Sequence, residues 1–289
     1  MTTIINQVLD QASRPASDGG RRGFRPGVTL SVLLIAFLVV AAIDPRLLTG
    51  QSPYAVNLAE AFKSPALGHV FGTDQSGRDV YTRIIYGARQ SLLIGVGATA
   101  IAMGLAIFLG LLAGLSGRFV DGLVNRFLEV LFAFPGLLLA LLFVAAFGLG
   151  ASTEIIAVGV GSAPGYARMV RGQVLAVKGS PYVEAARALG HPPNQIVRQH
   201  IFPNAMRPLV AMAAMGIGQS IVWASALSFL GLGVPPPAPE WGAMLDAGRN
   251  FVIQAWWLEI FPGLAIVACA LSVTTIGRYL RRRFEGETG

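Results

Sequence analysis

The residues that could do chemistry in this chain are scattered at the edges of apolar segments. Glu129, Glu154, Arg168 and Glu259 fall near the predicted ends of such segments, and the segment centres contain no ionisable side chain. A membrane enzyme needs a clustered nucleophile, base or metal set. A carrier driven by protons or sodium usually needs ionisable groups near the membrane midplane. The pattern therefore argues against an enzyme and against a secondary transporter.

Phosphate and metal chemistry also lack their usual motifs. The sequence has no GxxxxGK[ST] loop and no HExxH pattern, and its only lysines are Lys63 and Lys178. Cys269 is the single cysteine and lies in an apolar stretch, which predicts a packing role. We expect no cofactor or metal on this chain and no catalytic residue. Any ATP-driven activity would have to come from a partner.

The composition indicates a membrane protein. Hydrophobic residues make up 54% of the 289, charged residues 13%, and the mean hydropathy is +0.61. A soluble domain carries about twice that charged fraction. The net charge of +7 arises from arginines beside apolar segments, so membrane topology explains it better than nucleic-acid binding.

Six apolar segments predict six transmembrane helices, since about 22 residues of helix cross a hydrocarbon core of roughly 30 Å. We predict a transmembrane domain at 27–280, between cytoplasmic tails at 1–26 and 281–289. The predicted spans are 27–47, 90–116, 126–148, 153–172, 205–231 and 257–280.

The basic residues predict the orientation of these spans. With the N-terminus inside, sixteen of the 22 lysines and arginines fall on the cytoplasmic side and six fall outside. The positive-inside rule then places both termini and the loop at 173–204 in the cytoplasm. The segments 48–89 and 232–256 face the other side of the inner membrane.

Glycines and prolines within the spans leave several interpretations open. Gly110 and Gly114 form a GxxxG pair, which suits either packing inside the chain or a contact with another subunit. Pro135 and Pro164 should kink or break their helices, as packing features or as gating hinges. Polar residues on the fifth span could line a translocation pathway or join helices by hydrogen bonds: Gln219, Ser220, Ser225 and Ser228.

The cytoplasmic loop at 173–204 is the most informative segment. Ser180 and Pro181 are suited to begin a helix, and Gly190 followed by two prolines ends it near residue 189. An isolated helix of this length is marginal in water, so we expect it to be docked. One face is predicted to carry Tyr182, Ala185, Ala186 and Leu189. Docking on a partner, an interfacial position on lipid and an internal cap all fit the periodicity.

This loop resembles the EAA loop of binding-protein-dependent ABC permeases. Glu184-Ala185-Ala186 is followed after three residues by Gly190 and later by Ile201-Phe202-Pro203, where Phe202 replaces the usual leucine. FGTDQSGRD at 71–79 and YGARQSL at 86–92 are similar to dipeptide, oligopeptide and nickel permeases. SFLGLGVP at 228–235, followed by Glu240-Trp241-Gly242, resembles their C-type subunit.

The resemblance implies an all-α membrane protein of the type I ABC importer permease fold, with a short cytoplasmic coupling helix. In that family the coupling helix seats in a cleft of the ATPase subunit, which implies a coupling role for Tyr182, Glu184, Ala185, Ala186, Leu189 and Gly190. The partners would be a B-type permease homologue, two ATP-binding subunits holding ATP and Mg²⁺, and an extracytoplasmic binding protein, with no nucleic acid.

The substrate is left open by the residues. The resemblance favours short peptides, with nickel or another metal chelate, or glutathione-like peptides, as alternatives. The outward segment with Asp74, Arg78 and Asp79 is turn-rich and charge-paired. It is suited either to a structural ion-pair network or to contact with the binding protein.

Overall fold

The first helix follows from an uninterrupted apolar stretch that ends at an Asp-Pro pair. In the computed structural model, which describes residues 26–286, this helix is α1, Pro26–Ile43. Asp44 then accepts a hydrogen bond from the Arg46 amide at 3.1 Å and caps a single 3-10 turn. The predicted tail at 1–26 lies outside the described residues except for Pro26.

The second helix begins ten residues before the apolar segment that predicted it. It is α2, Val80–Leu115, and Asp79 caps it by accepting a hydrogen bond from the Thr82 amide at 2.8 Å. Thr82 and Arg83, in its first turn, are buried against protein. Because that turn is covered by protein, the helix extends beyond its apolar portion without exposing polar groups to lipid.

The third predicted span is broken at Pro135. The structure has α3, Arg118–Ala133, and α4, Gly136–Phe147, at 89° to each other. Phe134 is extended, as expected for a residue before proline. The predicted break is therefore confirmed here. Helix α5, Ala151–Lys178, instead contains Pro164 without ending there.

The cytoplasmic loop and the last two long helices complete the bundle. A helical path runs without interruption from Pro193 to Phe229, so it begins twelve residues before the fifth span predicted at 205–231. Helix α10 begins at Trp257 and continues to Gly286, six residues into the predicted C-terminal tail at 281–289. The elements are α6 (Pro181–Ala188), α7 (Pro193–Ile196), a π-helical turn (Val197–Ile201), α8 (Phe202–Phe229), α9 (Trp241–Gly248) and α10 (Trp257–Gly286).

Helix α2 is the centre of the bundle and packs on α5, α8 and α1, while α10 packs on α8 and α1. The GxxxG pair lies in the contact with α5. A Cβ on Gly110 would lie 2.6 Å from Val170 Cβ, and one on Gly114 would lie 2.7 Å from Val174 Cγ1. The pair therefore serves packing inside the chain.

Four of the described helices are long and apolar enough to cross a membrane: α1, α2, the path from Pro193 to Phe229, and α10. The bent pair α3–α4 makes a fifth when it is counted as one span. Helix α5, predicted as a span at 153–172, is also long but less apolar, and it is not among these helices. The fold is thus all-helical over residues 26–286, with four to five apolar spans.

Candidate functional site

The short helix α6 is anchored to the bundle by two of its residues. Val183 is fully buried and Ala186 is 5% exposed. Both belong to an apolar cluster with Val174, Ile196 and Ile201, from α5, α7 and the π turn. A helix of eight residues is not stable alone, so this packing holds it in place.

The exposed side of α6 differs from the predicted face. Tyr182 is 45% exposed, Leu189 is 78% exposed, and Glu184 and Ala185 are also exposed. The prediction that Ala186 shares this face is wrong, because its side chain is on the anchored side. Helical periodicity gives the angle between successive side chains, but it does not show which face packs on the bundle. In the structure this is the face that contains Val183.

The end of α6 is a tight turn made by Gly190. Its φ is +80°, the Gly190 amide donates to the Arg187 carbonyl at 2.9 Å, and the His191 amide donates to the Ala186 carbonyl at 3.2 Å. These two bonds form a Schellman motif, which requires the left-handed region at this residue. A Cβ there would meet no atom within 4 Å, so backbone conformation alone selects glycine.

The predicted pathway residues are not equivalent in the structure. Gln219 is exposed, whereas Ser220, Ser225 and Ser228 are each at most 5% exposed. Thr99 donates to Ser220 across α2 and α8 at 3.0 Å, and Ser228 donates to the Glu154 carboxylate on α5 at 2.9 Å. Ser220 and Ser228 thus join helices within the chain.

A groove of about 390 Å³ runs beside these residues, between α8, α9 and α10. Its walls are mostly apolar and include Val222, Phe229 and Val267, with Ser225 and Glu259 as the polar members. Glu259 lies near a predicted span end, where its residue type alone indicated no role. Ser225 and Glu259 are therefore the side chains lining this groove that can form hydrogen bonds.

The outward segment forms the ion-pair network that the sequence suggested as one reading. Asp74 is 6% exposed, pairs with Arg78 at 3.1 Å, and accepts hydrogen bonds from the amides of Ser76 and Arg78. Asp79 both caps α2 and contacts His69 Nδ1 at 2.9 Å. His69 Nε2 lies 3.1 Å from Glu60.

Two carboxylates therefore contact the ring of His69. Hydrogen bonding to Asp79 raises the pKa of His69, and Glu60 acts in the same direction. Hydrogen bonds from Lys63 and His69 lower the pKa of Glu60. Both ring nitrogens can donate only when the imidazole is protonated, so the arrangement is strongest with a charged histidine.

Arg83 and Glu240 are organising residues that sequence reasoning did not single out. Arg83 donates to the carbonyls of Pro53, Pro237 and Ala238 at 3.2 to 3.5 Å, which joins the loop that contains Pro53 to the loop that precedes α9. Glu240 caps α9 through the amides of Gly242 and Ala243, and accepts a hydrogen bond from Ser91. Its position just before Trp241-Gly242 was the available signal for a cap.

Comparison with known proteins gives a family. Residues 106–286 match the model of the binding-protein-dependent transport system inner membrane component. The chain is 42% identical to the glutathione transport system permease protein GsiD of Pectobacterium atrosepticum, over 97% of this chain and 94% of that one. It is 39% identical to the dipeptide transport system permease protein DppC of Alkalihalophilus pseudofirmus, over 86% and 82%.

The fold has a solved counterpart. A chain of the MetNI methionine ABC transporter, in an inward-facing form, superposes with a TM-score of 0.58 at 19% identity, covering 71% of this chain and 95% of that one. This likeness shows the fold of a type I ABC importer permease. Together with the family match, it confirms the resemblance seen in the sequence. The chain belongs to the family of binding-protein-dependent transport system inner membrane components.

Proposed function

We propose that this chain is one of two permease subunits that form the translocation pathway of an ATP-driven importer for short peptides. A B-type permease homologue completes the pathway, two ATP-binding subunits hold ATP and Mg²⁺, and an extracytoplasmic protein delivers the peptide. The chain itself has no catalytic role. The names of the relatives support the substrate class, since the DppC relative is a dipeptide permease.

The proposed subunit has six spans: the five apolar spans described above, and α5, which is less apolar than they are. Helix α5 has 28 residues, enough for about 42 Å of helix, and it packs along the full-length span α2. Glu154 is buried in its first turn, and Arg168, Arg171 and Lys178 lie in its C-terminal half, so residues 155–167 form an uncharged stretch. The distribution of lysine and arginine supports a cytoplasmic position for both termini and for α6.

The observation that supports the coupling role is that α6 has one buried face and one exposed face. Val183 and Ala186 fix the helix to the bundle, while Tyr182, Ala185 and Leu189 point away from it. A helix that is rigidly attached on one side transmits a push applied to its other side. A largely exposed leucine beside a small alanine offers an apolar contact that permits close approach by a partner cleft.

The test is a change on the exposed side that leaves the anchor intact. Leu189→Asp should prevent co-purification of the ATP-binding subunits, while the chain still inserts into the membrane. Leu67→Asp is the matched control, because Leu67 is also an exposed leucine but lies in the outward segment. Retention of the ATP-binding subunits by Leu189→Asp, at the level seen with Leu67→Asp, would refute the coupling role of α6.

Glutathione or a related peptide is a second candidate substrate. It is favoured by the GsiD relative, which matches 97% of this chain at 42% identity. Uptake of labelled dipeptide and labelled glutathione by the reconstituted complex, with its own binding protein, distinguishes the two. A metal chelate such as a nickel complex is the remaining alternative and is tested in the same assay.

A further inference from the structure

A second cavity, with a polar lining, lies at the opposite end of the bundle from the outward segment. It has a volume of about 240 Å³ and is located where the start of α1 meets the last turns of α10. Val28 contributes from α1, and Thr275, Arg278, Tyr279 and Arg282 contribute from α10. A water molecule occupies roughly 30 Å³ in the liquid, so a phosphate group with some hydration fits this volume.

The two arginines make the cavity cationic. Arg278 and Arg282 are four residues apart, so their side chains extend from the same face of α10. Both are exposed, and neither has an ion-pair partner among residues 26–283. Arg126, Arg171 and Arg249 elsewhere each pair with an acid.

The start of α1 adds to this positive potential. The first amide groups of a helix have no acceptors within it, and its dipole favours an anion there. The first turn of α1 contains no acidic residue to neutralise that dipole.

Helices α1 and α10 are apolar along most of their length and meet at the cationic cavity. This arrangement indicates that the ligand is a membrane lipid. Helices α1 and α10 are both apolar enough to cross a membrane, and the cavity lies where α1 begins and α10 ends. The ends of a membrane-spanning helix reach the lipid headgroups. We propose that this cavity binds the phosphate of an anionic membrane phospholipid, with Arg278 and Arg282 as the main contacts. Basic pockets between helices at a membrane surface are suited to such headgroups.

The experiment is a lipid titration of the full-length chain in detergent, followed by native mass spectrometry. The probes are phosphatidylglycerol, zwitterionic phosphatidylcholine and inorganic phosphate. We expect phosphatidylglycerol to bind in preference to phosphatidylcholine. Arg282→Gln should weaken the first bound phosphatidylglycerol by about fivefold, and the double variant with Arg278→Gln by about twenty-fivefold.

Arg283→Gln is the matched control, since it removes the same charge from the next residue but outside the cavity lining. Arg282→Lys keeps the charge. If this variant still binds the lipid, the weaker binding of Arg282→Gln reflects the missing charge and not misfolding. Equal losses for Arg282→Gln and Arg283→Gln would overturn the site in favour of a diffuse basic surface. Displacement of the lipid by millimolar inorganic phosphate would overturn the lipid assignment in favour of a soluble anion. Neither readout requires transport, so failure here leaves the proposed function untouched.

Discussion

Asp121 and Arg171 form a two-pronged ion pair that joins α3 to α5. Arg171 Nε donates to Asp121 Oδ1 at 2.6 Å, and a second guanidinium nitrogen donates to Oδ2 at 2.6 Å. Asn125 also donates to Asp121 at 2.8 Å. The pair fixes the arm of the bent span that precedes Pro135. In the sequence, Arg171 contributed only to the charge count.

Arg171→Lys should destabilise the chain although it keeps the charge, because an ammonium cannot make both hydrogen bonds. The pair is partly exposed, so we expect a loss of about 1 kcal/mol in the free energy of unfolding. Thermal unfolding in detergent measures it. Arg126→Lys is the control, because Arg126 pairs with Glu129 through a single contact on the exposed surface. Equal effects of the two substitutions would contradict the role of the fork geometry.

The substitutions Ala185→Trp and Ala186→Trp should impair the protein in different ways. Ala186 lies in the anchored cluster, so Ala186→Trp should overpack it, by about 1 to 3 kcal/mol, and should lower the thermal stability of the chain. Ala185 is exposed, so Ala185→Trp should keep the stability and lose the ATP-binding subunits. The paired measurement is thermal unfolding and co-purification. Equal stability of both variants would contradict the anchoring of α6.

Substitutions of Gly190 should follow the tolerance of each residue for positive φ. Asn should be the mildest, Ala intermediate and Val the most severe, since the φ of +80° penalises a β-branched side chain most. Peptide transport and protease protection of α6 report the effect. Gly172→Ala is the control, because its Cβ would also meet no atom within 4 Å but its helical φ suits alanine. Wild-type behaviour of Gly190→Val would contradict the need for this turn.

The stability of the outward segment should fall as the pH rises. The folded-state pKa of His69 is raised, first by Asp79, above its unfolded value of about 6.5. Its stabilisation is therefore complete below that value and is lost as the pH passes through the folded-state pKa. Melting temperatures of wild type and His69→Gln, measured from pH 5 to pH 9, should differ most at low pH. A constant difference would contradict the charged histidine.

Much of the fold could be predicted from apolar segments and helix-ending residues. The break at Pro135 and the turn at Gly190 follow from local backbone chemistry, which depends on few neighbours. The early start of α2 could not be predicted by hydropathy, because Thr82 and Arg83 are covered by protein rather than lipid. The hydropathy of a segment indicates whether lipid surrounds the helix. It does not indicate how far the helix extends where protein surrounds it.

The candidate site was predicted less completely, because it depends on which side of each element faces inward. Ala186 and Ala185 are adjacent small residues with the same propensity, yet one is buried and the other exposed. The serines of α8 carry the same ambiguity. Ser228 reaches Glu154, 74 residues away along the chain, and such a pairing leaves no periodic signal in the sequence.

Arg83 holds the loop before α9 through the carbonyl oxygens of Pro237 and Ala238 and not through their side chains. Every residue type presents the same carbonyl, so this attachment does not depend on what occupies either position. The side chains of this loop can therefore change while the loop keeps its path. In the proposed importer, the affinity of this surface for the delivering protein can then evolve without a change in its shape.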